Sequence, residues 1–240
     1  MSRKEKGPSR ILAVDIGGSK VKFLASGETQ PRRMPSGPQL EPAQMVERIR
    51  AMTRDWKYDA VSVGYCGLVG GSGPHAEPQN LGSGWVGFDF AAAFGCPVRI
   101  VNDAAMQALG SYDGGRMLFL GLGTGLGSAL IVEGILEPME LAHLPYKKGR
   151  SYEDYLGTRG MKATGKKKWR KHVADVTTRF KSALEADYVV IGGGNAKLLH
   201  ELPAGARLGS NARAFAGGLR LWETPKERGS HGRRPARSKA

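Results

Sequence analysis

Five stretches of this chain place residue types that could do chemistry at spacings that make sense of them. The first is Asp15-Ile16-Gly17-Gly18-Ser19-Lys20-Val21-Lys22. An acid ends an apolar run, two glycines open the backbone, and a hydroxyl and a lysine follow. Asp15, Gly17, Gly18, Ser19 and Lys22 together suit a phosphate cradle, with the acid placed to organise Mg²⁺ through water. A plain glycine hairpin is the competing reading. The second is Gly121-Leu122-Gly123-Thr124-Gly125-Leu126-Gly127-Ser128, in which Gly123, Thr124 and Gly125 would offer backbone donors to a closely approaching anion. Its spacing is not G-x-G-x-x-G and no helix is expected to open after it, so it is not a dinucleotide fingerprint. One such loop is a weak signal; two, each between apolar strands, carry more.

The third is Asn102-Asp103, where a strand should end and a helix begin. Asp favours helix N-caps, but the carboxyl end of a strand is also where an α/β sheet places its ligand groups. The fourth is Glu140-Leu141-Ala142-His143, an acid and an imidazole three apart, able to share a polar ligand or simply to pair at the surface. The fifth is Val189-Val190-Ile191-Gly192-Gly193-Gly194-Asn195, a strand delivering glycines that could floor a base or ribose, or merely turn the chain. A sixth candidate fails. Gly160 to Lys167 approaches G-x-x-x-x-G-K-[ST], but the final hydroxyl is missing and no apolar strand precedes it. It reads as a basic loop.

The elements that must carry these residues follow from periodicity. Strands are expected at 11–15, 20–25, 60–66, 97–101 and 188–191, with a further pair flanking the second glycine turn. Helices are expected at 41–56, with Pro42 near the start, at 104–112, at 171–186 with Val173, Val176, Phe180 and Leu184 on one face, and at 211–222. Residues 28–40 and the stretch from Gly67 past Asn80 and Trp85 read as loops. Two halves, each with a strand–glycine turn–strand unit among mixed elements, argue an α/β fold.

Composition narrows the class. The 240 residues are 40% hydrophobic and 24% charged, ordinary for a soluble protein. Cys66 and Cys96 cannot build a disulfide framework or a four-cysteine zinc site, and they suit a reduced, cytoplasmic protein. No apolar run approaches the ~18 residues of a membrane span, and the N-terminus is no signal peptide. The net charge of +14 suggests a polyanionic partner. Eight of those charges lie in residues 1–10 and 225–240, which read as basic disordered tails; Lys162 to Lys171 holds six basic residues and no acid. That run carries one aromatic, Trp169, and no RRM, KH or zinc-finger pattern accompanies it, so nucleic acid is not the expected partner.

Taken in order, D-I-G-G-S-K-V-K, N-D-A, G-L-G-T-G-L-G-S, E-L-A-H and I-G-G-G resemble the ROK family of sugar kinases in the actin-like ATPase superfamily, over roughly residues 11–222. The chain is most similar to the polyphosphate glucokinase branch. The resemblance implies a two-lobed, ribonuclease H-like α/β fold closing on a cleft, with lobes at 11–101 and 102–224. It implies Asp103 as general base, and Asn102, Glu140 and His143 as sugar ligands. It places Asn80, in Asn80-Leu81-Gly82-Ser83-Gly84-Trp85, as a further sugar contact, though with one residue more before the Trp than the family pattern. Glu153, in Ser151-Tyr152-Glu153, would be another. Gly193 and Gly194 match the nucleotide-side glycines. ATP or inorganic polyphosphate would be the donor, Mg²⁺ the cofactor, and the 6-hydroxyl of glucose the acceptor; another sugar or an amino sugar is the alternative acceptor. Family members are often homodimers.

Three departures stand out. The family's zinc-binding cysteine cluster is absent, so no zinc is expected. Ala142 stands where the family has Gly, and a methyl there could shift His143. Lys147 to Lys171 is unusually basic. Ten residues precede the first strand, so the helix-turn-helix of the family's repressors is not expected. A non-catalytic sugar or nucleotide binder using basic tails on nucleic acid remains the reading from another class.

Overall fold

The computed structural model describes residues 8–210 and 212–230, divided into two compact units. The first takes in the chain up to Met106. Its sheet starts with β1 (Ile11–Ile16), β2 (Lys20–Ala25) and β3 (Arg32–Pro35), continues with β4 (Ala60–Tyr65) and ends with β7 (Val98–Asn102), in the order β3-β2-β1-β4-β7. A two-residue pair, β5 (Val69–Gly70) and β6 (Gly73–Pro74), forms a separate small hairpin between β4 and β7. The β1–β2 and β2–β3 pairs are antiparallel; β1–β4 and β4–β7 are parallel.

Burial follows position in the sheet. Strands β1 and β4 are central and buried at every residue, which is why they read as unbroken apolar runs. Strand β2 alternates, burying Val21, Phe23 and Ala25. Strand β3 corrects the reading of 28–40 as loop. Its sequence, Arg-Arg-Met-Pro, has one buried side chain, Met34, and a proline that suits only an edge. Helix α1 (Pro42–Met52) opens on proline as expected and buries Met45, Val46 and Ile49, but it ends four residues early. Helix α2 (Phe90–Phe94) starts where Asp89 accepts from the Ala92 amide, and α3 (Asp103–Ser111) follows β7 directly.

The second unit repeats the plan. Strands β8 (Arg116–Leu122), β9 (Leu126–Val132) and β10 (Ile135–Met139) form an antiparallel meander, and β13 (Tyr188–Gly192) and β14 (Ala206–Leu208) add in parallel, giving β10-β9-β8-β13-β14. Between meander and parallel strands come the short pair β11 (Pro145–Lys147) and β12 (Arg150–Ser151), then α4 (Tyr152–Leu156), α5 (Thr158–Thr164) and α6 (Lys166–Ala183). The run expected as a basic loop is therefore helical. Gly165, at φ 79°, is the one break between α5 and α6. Helix α6 starts five residues before the expected 171 because Trp169 extends the buried stripe of Val173, Val176 and Phe180 by one turn. Leu184, expected on that face, caps the helix and is only partly buried.

The chain then returns to the first unit. Helix α7 (Arg213–Arg220) brings Gly218 against Ala13, where an added Cβ would lie 2.6 Å from the alanine methyl. Ser62 Oγ donates to the Gly218 carbonyl at 2.6 Å and accepts from Trp222 Nε1 at 2.9 Å. The units thus differ from the expected 11–101 and 102–224: the first holds residues to Met106 and also Ala214–Glu223. The expected tails differ as well. Ser9 and Arg10 bond to the Asp59 carboxylate, and Pro225–Ser230 forms α8, whose Arg228 donates to the Gly134 carbonyl. The remainder of both expected tails, 1–7 and 231–240, lies outside the described residues.

Trp169 is fully buried and its indole N–H donates to the Leu156 carbonyl at 2.8 Å, so it ties α6 to α4. Trp169→Ala should cost about 3–5 kcal/mol, a lower urea midpoint with the slope unchanged.

Candidate active site

In the first unit the candidate residues gather along the carboxyl-terminal edge of the sheet. Asp15, 8% exposed, is the penultimate residue of β1 and stands opposite Lys22 in the β1–β2 register. The Lys22 ammonium lies 3.6 Å from its carboxylate. Burial pushes the Asp15 carboxyl upward, and Lys22 offsets part of that rise.

The turn after β1 closes on itself. The Gly17 amide donates to the Lys20 carbonyl at 3.0 Å, and Ser36 Oγ donates to the Gly17 carbonyl at 2.6 Å. Gly18 and Ser19 are exposed, and their amides have no partner among the described residues. Asn80 lies against Gly18, its side chain 3.3 Å from where a Cβ would stand. The loop holding Asn80 is itself strapped by Glu77, whose two carboxylate oxygens accept from the Trp85 and Val86 amides. Trp85 is buried beside Tyr65 and Phe90, so it anchors this loop in the core.

At the end of β7 the cap is Asn102 rather than Asp103. Asn102 Oδ1 accepts from the Ala104 and Ala105 amides, and its Nδ2 donates to the Gly67 carbonyl at 3.0 Å. Asp103 is the first helical residue, half-buried, with Oδ1 accepting from the Ala104 amide at 2.8 Å. Cys66 follows β4, the strand between β1 and β7. Burial and then the nearby carboxylates of Asp103 and Asp15 push its thiol up to about 12. Three adjacent parallel strands thus bring Asp15, Cys66 and Asp103 to their carboxyl ends. Composition had used Cys66 only to exclude disulfides; its place at the end of an apolar run was the signal available.

In the second unit the β8–β9 turn has the same form. The Gly123 amide donates to the Gly125 carbonyl at 3.1 Å. The Gly123 carbonyl accepts from Thr158 Oγ1 at 2.8 Å, the Thr158 amide at 3.1 Å and Asn195 Nδ2 at 3.0 Å. The amides of Thr124 and Gly125 have no partner among the described residues. A Cβ on Gly123 would meet nothing, so open space lies before it. A Cβ on Gly125 would stand 2.2 Å from Glu153 Oε2, which accepts from the Leu126 amide at 3.1 Å. Glu153 therefore sits on this turn, held by α4, whose start is fixed by the reciprocal Ser151–Asp154 cap.

Glu140 and His143 flank a short 3₁₀ turn, Nε2 to Oε2 3.7 Å apart, with both side chains exposed. Partial burial raises the Glu140 carboxyl, His143 opposes that, and Glu153 adds to it. The Ala142 methyl is buried in the core beneath. The residue that departs from the family pattern thus packs inward, while His143 points out. Gly193, at φ 83°, leaves no room for a side chain, since its Cβ would stand 2.3 Å from the Leu122 carbonyl oxygen; Gly194 is exposed and unconfined. Sequence reasoning missed Ser36 and Thr158, which hold the motifs and lie outside them; Asn195 and Glu77 stand at the ends of stretches it singled out, but it gave neither a part.

Among the described residues no cluster of three or more His, Cys, Asp or Glu side chains could cage a metal. A single buried carboxylate, Asp15, beside exposed amides suits a hydrated magnesium shared with phosphate oxygens. A depression of about 550 Å³ lined by Pro35, Ser36, Gln39, Gln44 and Arg48 meets this edge only through Ser36 and holds none of the candidate residues.

Residues 11–137 match the model of the ROK family. The bifunctional enzyme NanE/NanK of Brucella melitensis biotype 1 is 29% identical over 145 residues, 55% of this chain and 28% of that protein, so the chain spans well under half of that relative's length. The inorganic polyphosphate/ATP-glucomannokinase of Arthrobacter sp. strain KM superposes with a TM-score of 0.73 at 21% identity, covering 88% of this chain and 96% of that one. A ROK family glucokinase of Streptomyces griseus, solved with glucose and AMPPNP, gives 0.65 at 16% identity, covering 89% and 99%. These likenesses establish the actin-like ATPase fold.

The raised Asp15 carboxyl has a stability consequence. A carboxyl whose folded value lies above its unfolded value contributes stability below the unfolded value near 3.8, and that contribution is lost as pH rises through the folded value. Asp15→Asn should therefore melt above the wild type at pH 7, the gap narrowing toward pH 3. Thermal melts across that range test it, and a lower melting temperature at pH 7 would contradict it.

Proposed function

The chain belongs to the ROK family, and on that premise we propose that it is a sugar kinase transferring the terminal phosphoryl group of ATP or inorganic polyphosphate to a hexose hydroxyl, the 6-hydroxyl of glucose first among them. The observation that carries this reading is the pair of glycine turns. Each unit presents two amides that are unpartnered among the described residues, in the same place in its sheet, and the first unit adds Asp103 on the same sheet edge. Exposed backbone donors hold phosphate oxygens whatever is attached to the phosphate.

The roles divide by unit. In the first, Gly17, Gly18 and Ser19 hold donor phosphate, and Asn80 and Asn102 contact the sugar. Asn102 has its Oδ1 spent on the α3 cap, so it would offer its second Nδ2 hydrogen. Asp103 accepts the proton of the attacking hydroxyl. The new bond joins that oxygen to phosphorus, the bond to the bridging oxygen breaks, and ADP or a shortened polyphosphate leaves. In the second unit, Gly123, Thr124 and Gly125 hold phosphate, Gly194 leaves room for a nucleotide on the turn that Gly193 makes against the Leu122 backbone, and Glu140, His143 and Glu153 orient the sugar. Magnesium, held near Asp15 through water, would neutralise charge on the transferring group.

Asp103→Asn should lower kcat by about 10²-fold or more with sugar affinity nearly unchanged. A coupled assay for sugar phosphate, run as a matrix of donors and sugars, measures this, and an unaltered kcat would remove Asp103 from the role of base.

Charge bears on the choice of donor. Lys162, Lys166, Lys167, Lys168 and Lys171 are all exposed on α5 and the first turns of α6, and Lys147 and Lys148 are exposed on the β11–β12 hairpin. A long polyanion would engage more of these than a nucleotide. Activity with polyphosphate should fall with added salt more steeply than activity with ATP. Equal slopes would leave the basic face without a part in donor choice.

A further inference from the structure

The two glycine turns share a feature outside both motifs. In each, the first glycine has its carbonyl taken by a hydroxyl from elsewhere in the chain. Ser36, one residue past β3, donates to the Gly17 carbonyl at 2.6 Å. Thr158, the first residue of α5, donates to the Gly123 carbonyl at 2.8 Å, and Asn195 Nδ2 joins it at 3.0 Å while also donating to Thr158 Oγ1 at 3.0 Å. The hydroxyls come from different kinds of element, so the shared arrangement is not a by-product of the repeated sheet.

A trans peptide is planar, with its C=O and N–H pointing in opposite directions. Pinning the Gly17 carbonyl on one side therefore aims the Gly18 amide the other way. Pinning the Gly123 carbonyl does the same for the Thr124 amide. Both amides are unpartnered among the described residues. Glycine has the widest backbone freedom of any residue, so without a tie the peptide plane could rotate and offer an oxygen where an anion needs a donor. Each tie also occupies a carbonyl that would repel phosphate.

We propose that Ser36 and Thr158, the latter backed by Asn195, are positioning residues that aim the phosphate-binding amides of the two turns. This rests on the donor role given to those turns above. Neither hydroxyl touches the donor; each acts through the peptide it holds.

The test uses Ser36→Ala and Thr158→Val, with Ser36→Thr and Thr158→Ser as the variants that keep a hydroxyl. Binding of tripolyphosphate and of ADP is measured by calorimetry, binding of glucose by tryptophan fluorescence, and the melting temperature on the same samples. One orienting hydrogen bond is worth a roughly three- to tenfold change in affinity. Ser36→Ala and Thr158→Val should each weaken phosphate binding by that factor, leave glucose binding unchanged, and be restored by the hydroxyl-bearing variants. Unchanged phosphate affinity in both, or an equal loss of glucose and phosphate binding that tracks the melting temperature, would overturn the proposal. Wild-type protein that binds tripolyphosphate but phosphorylates no sugar would overturn the kinase reading while weakened binding by the variants still upheld this one. Wild-type protein that binds no phosphate ligand would overturn both.

Discussion

Everything proposed for this protein depends on bare backbone being held open at the edge of a sheet. A side chain at Gly125 would strike Glu153, and one at Gly193 would strike the Leu122 backbone. Yet a glycine turn left alone is too free to bind anything well, because ordering it on binding costs conformational entropy. The chain meets both demands by making each turn from glycine and then tying its carbonyls outward. Gly17 closes on Lys20 and is held by Ser36; Gly123 closes on Gly125 and is held by Thr158 and Asn195. The entropy is lost on folding, where the surrounding core can offset it, and not on binding.

The same edge stores a conflict between stability and use. Asp15 and Asp103 lie near a half-buried thiol, and Asp15 is buried with Lys22 the only cation paired with it among the described residues. A carboxylate there is held against its own preference for water. Lys22 reduces the penalty without cancelling it. Cys66 gains nothing chemically from its place: with its thiol pushed up to about 12 it stays protonated and serves as a small apolar filler between two acids.

Much of this was legible in the residues because the fold uses strong local signals. Central strands such as β1 and β4 are apolar throughout, and the motifs fall at their ends, where glycine cannot be mistaken for packing. What could not be read has physical reasons. Strand β3 has one buried residue and a proline, so edge pairing and not propensity makes it a strand. Helix α6 starts among lysines whose only local signal was charge; Trp169 fixes its first turn through a hydrogen bond to the Leu156 carbonyl, in another helix and so outside the periodicity of α6 itself. Asn102 and Asp103 both suit a cap, and only the register of β7 decides that Asn102 takes it and leaves Asp103 on the helix. The return of α7 to the first unit rests on Gly218 meeting Ala13, two hundred residues back along the chain, which no periodicity encodes.

The basic character of the chain takes on a different meaning once its lysines are placed. A loop rich in lysine can fold around whatever anion it meets. A helix cannot: α6 buries Trp169, Val173, Val176 and Phe180 on one side, which forces Lys166, Lys167, Lys168 and Lys171 to the other at fixed spacing. Like charges so arranged repel one another, so the array is costly unless something anionic spends time against it. The helix tolerates that cost through its buried stripe. The charge is thereby presented on a rigid support in the same unit as the Gly123 turn, whose amides are proposed to take the same kind of ligand.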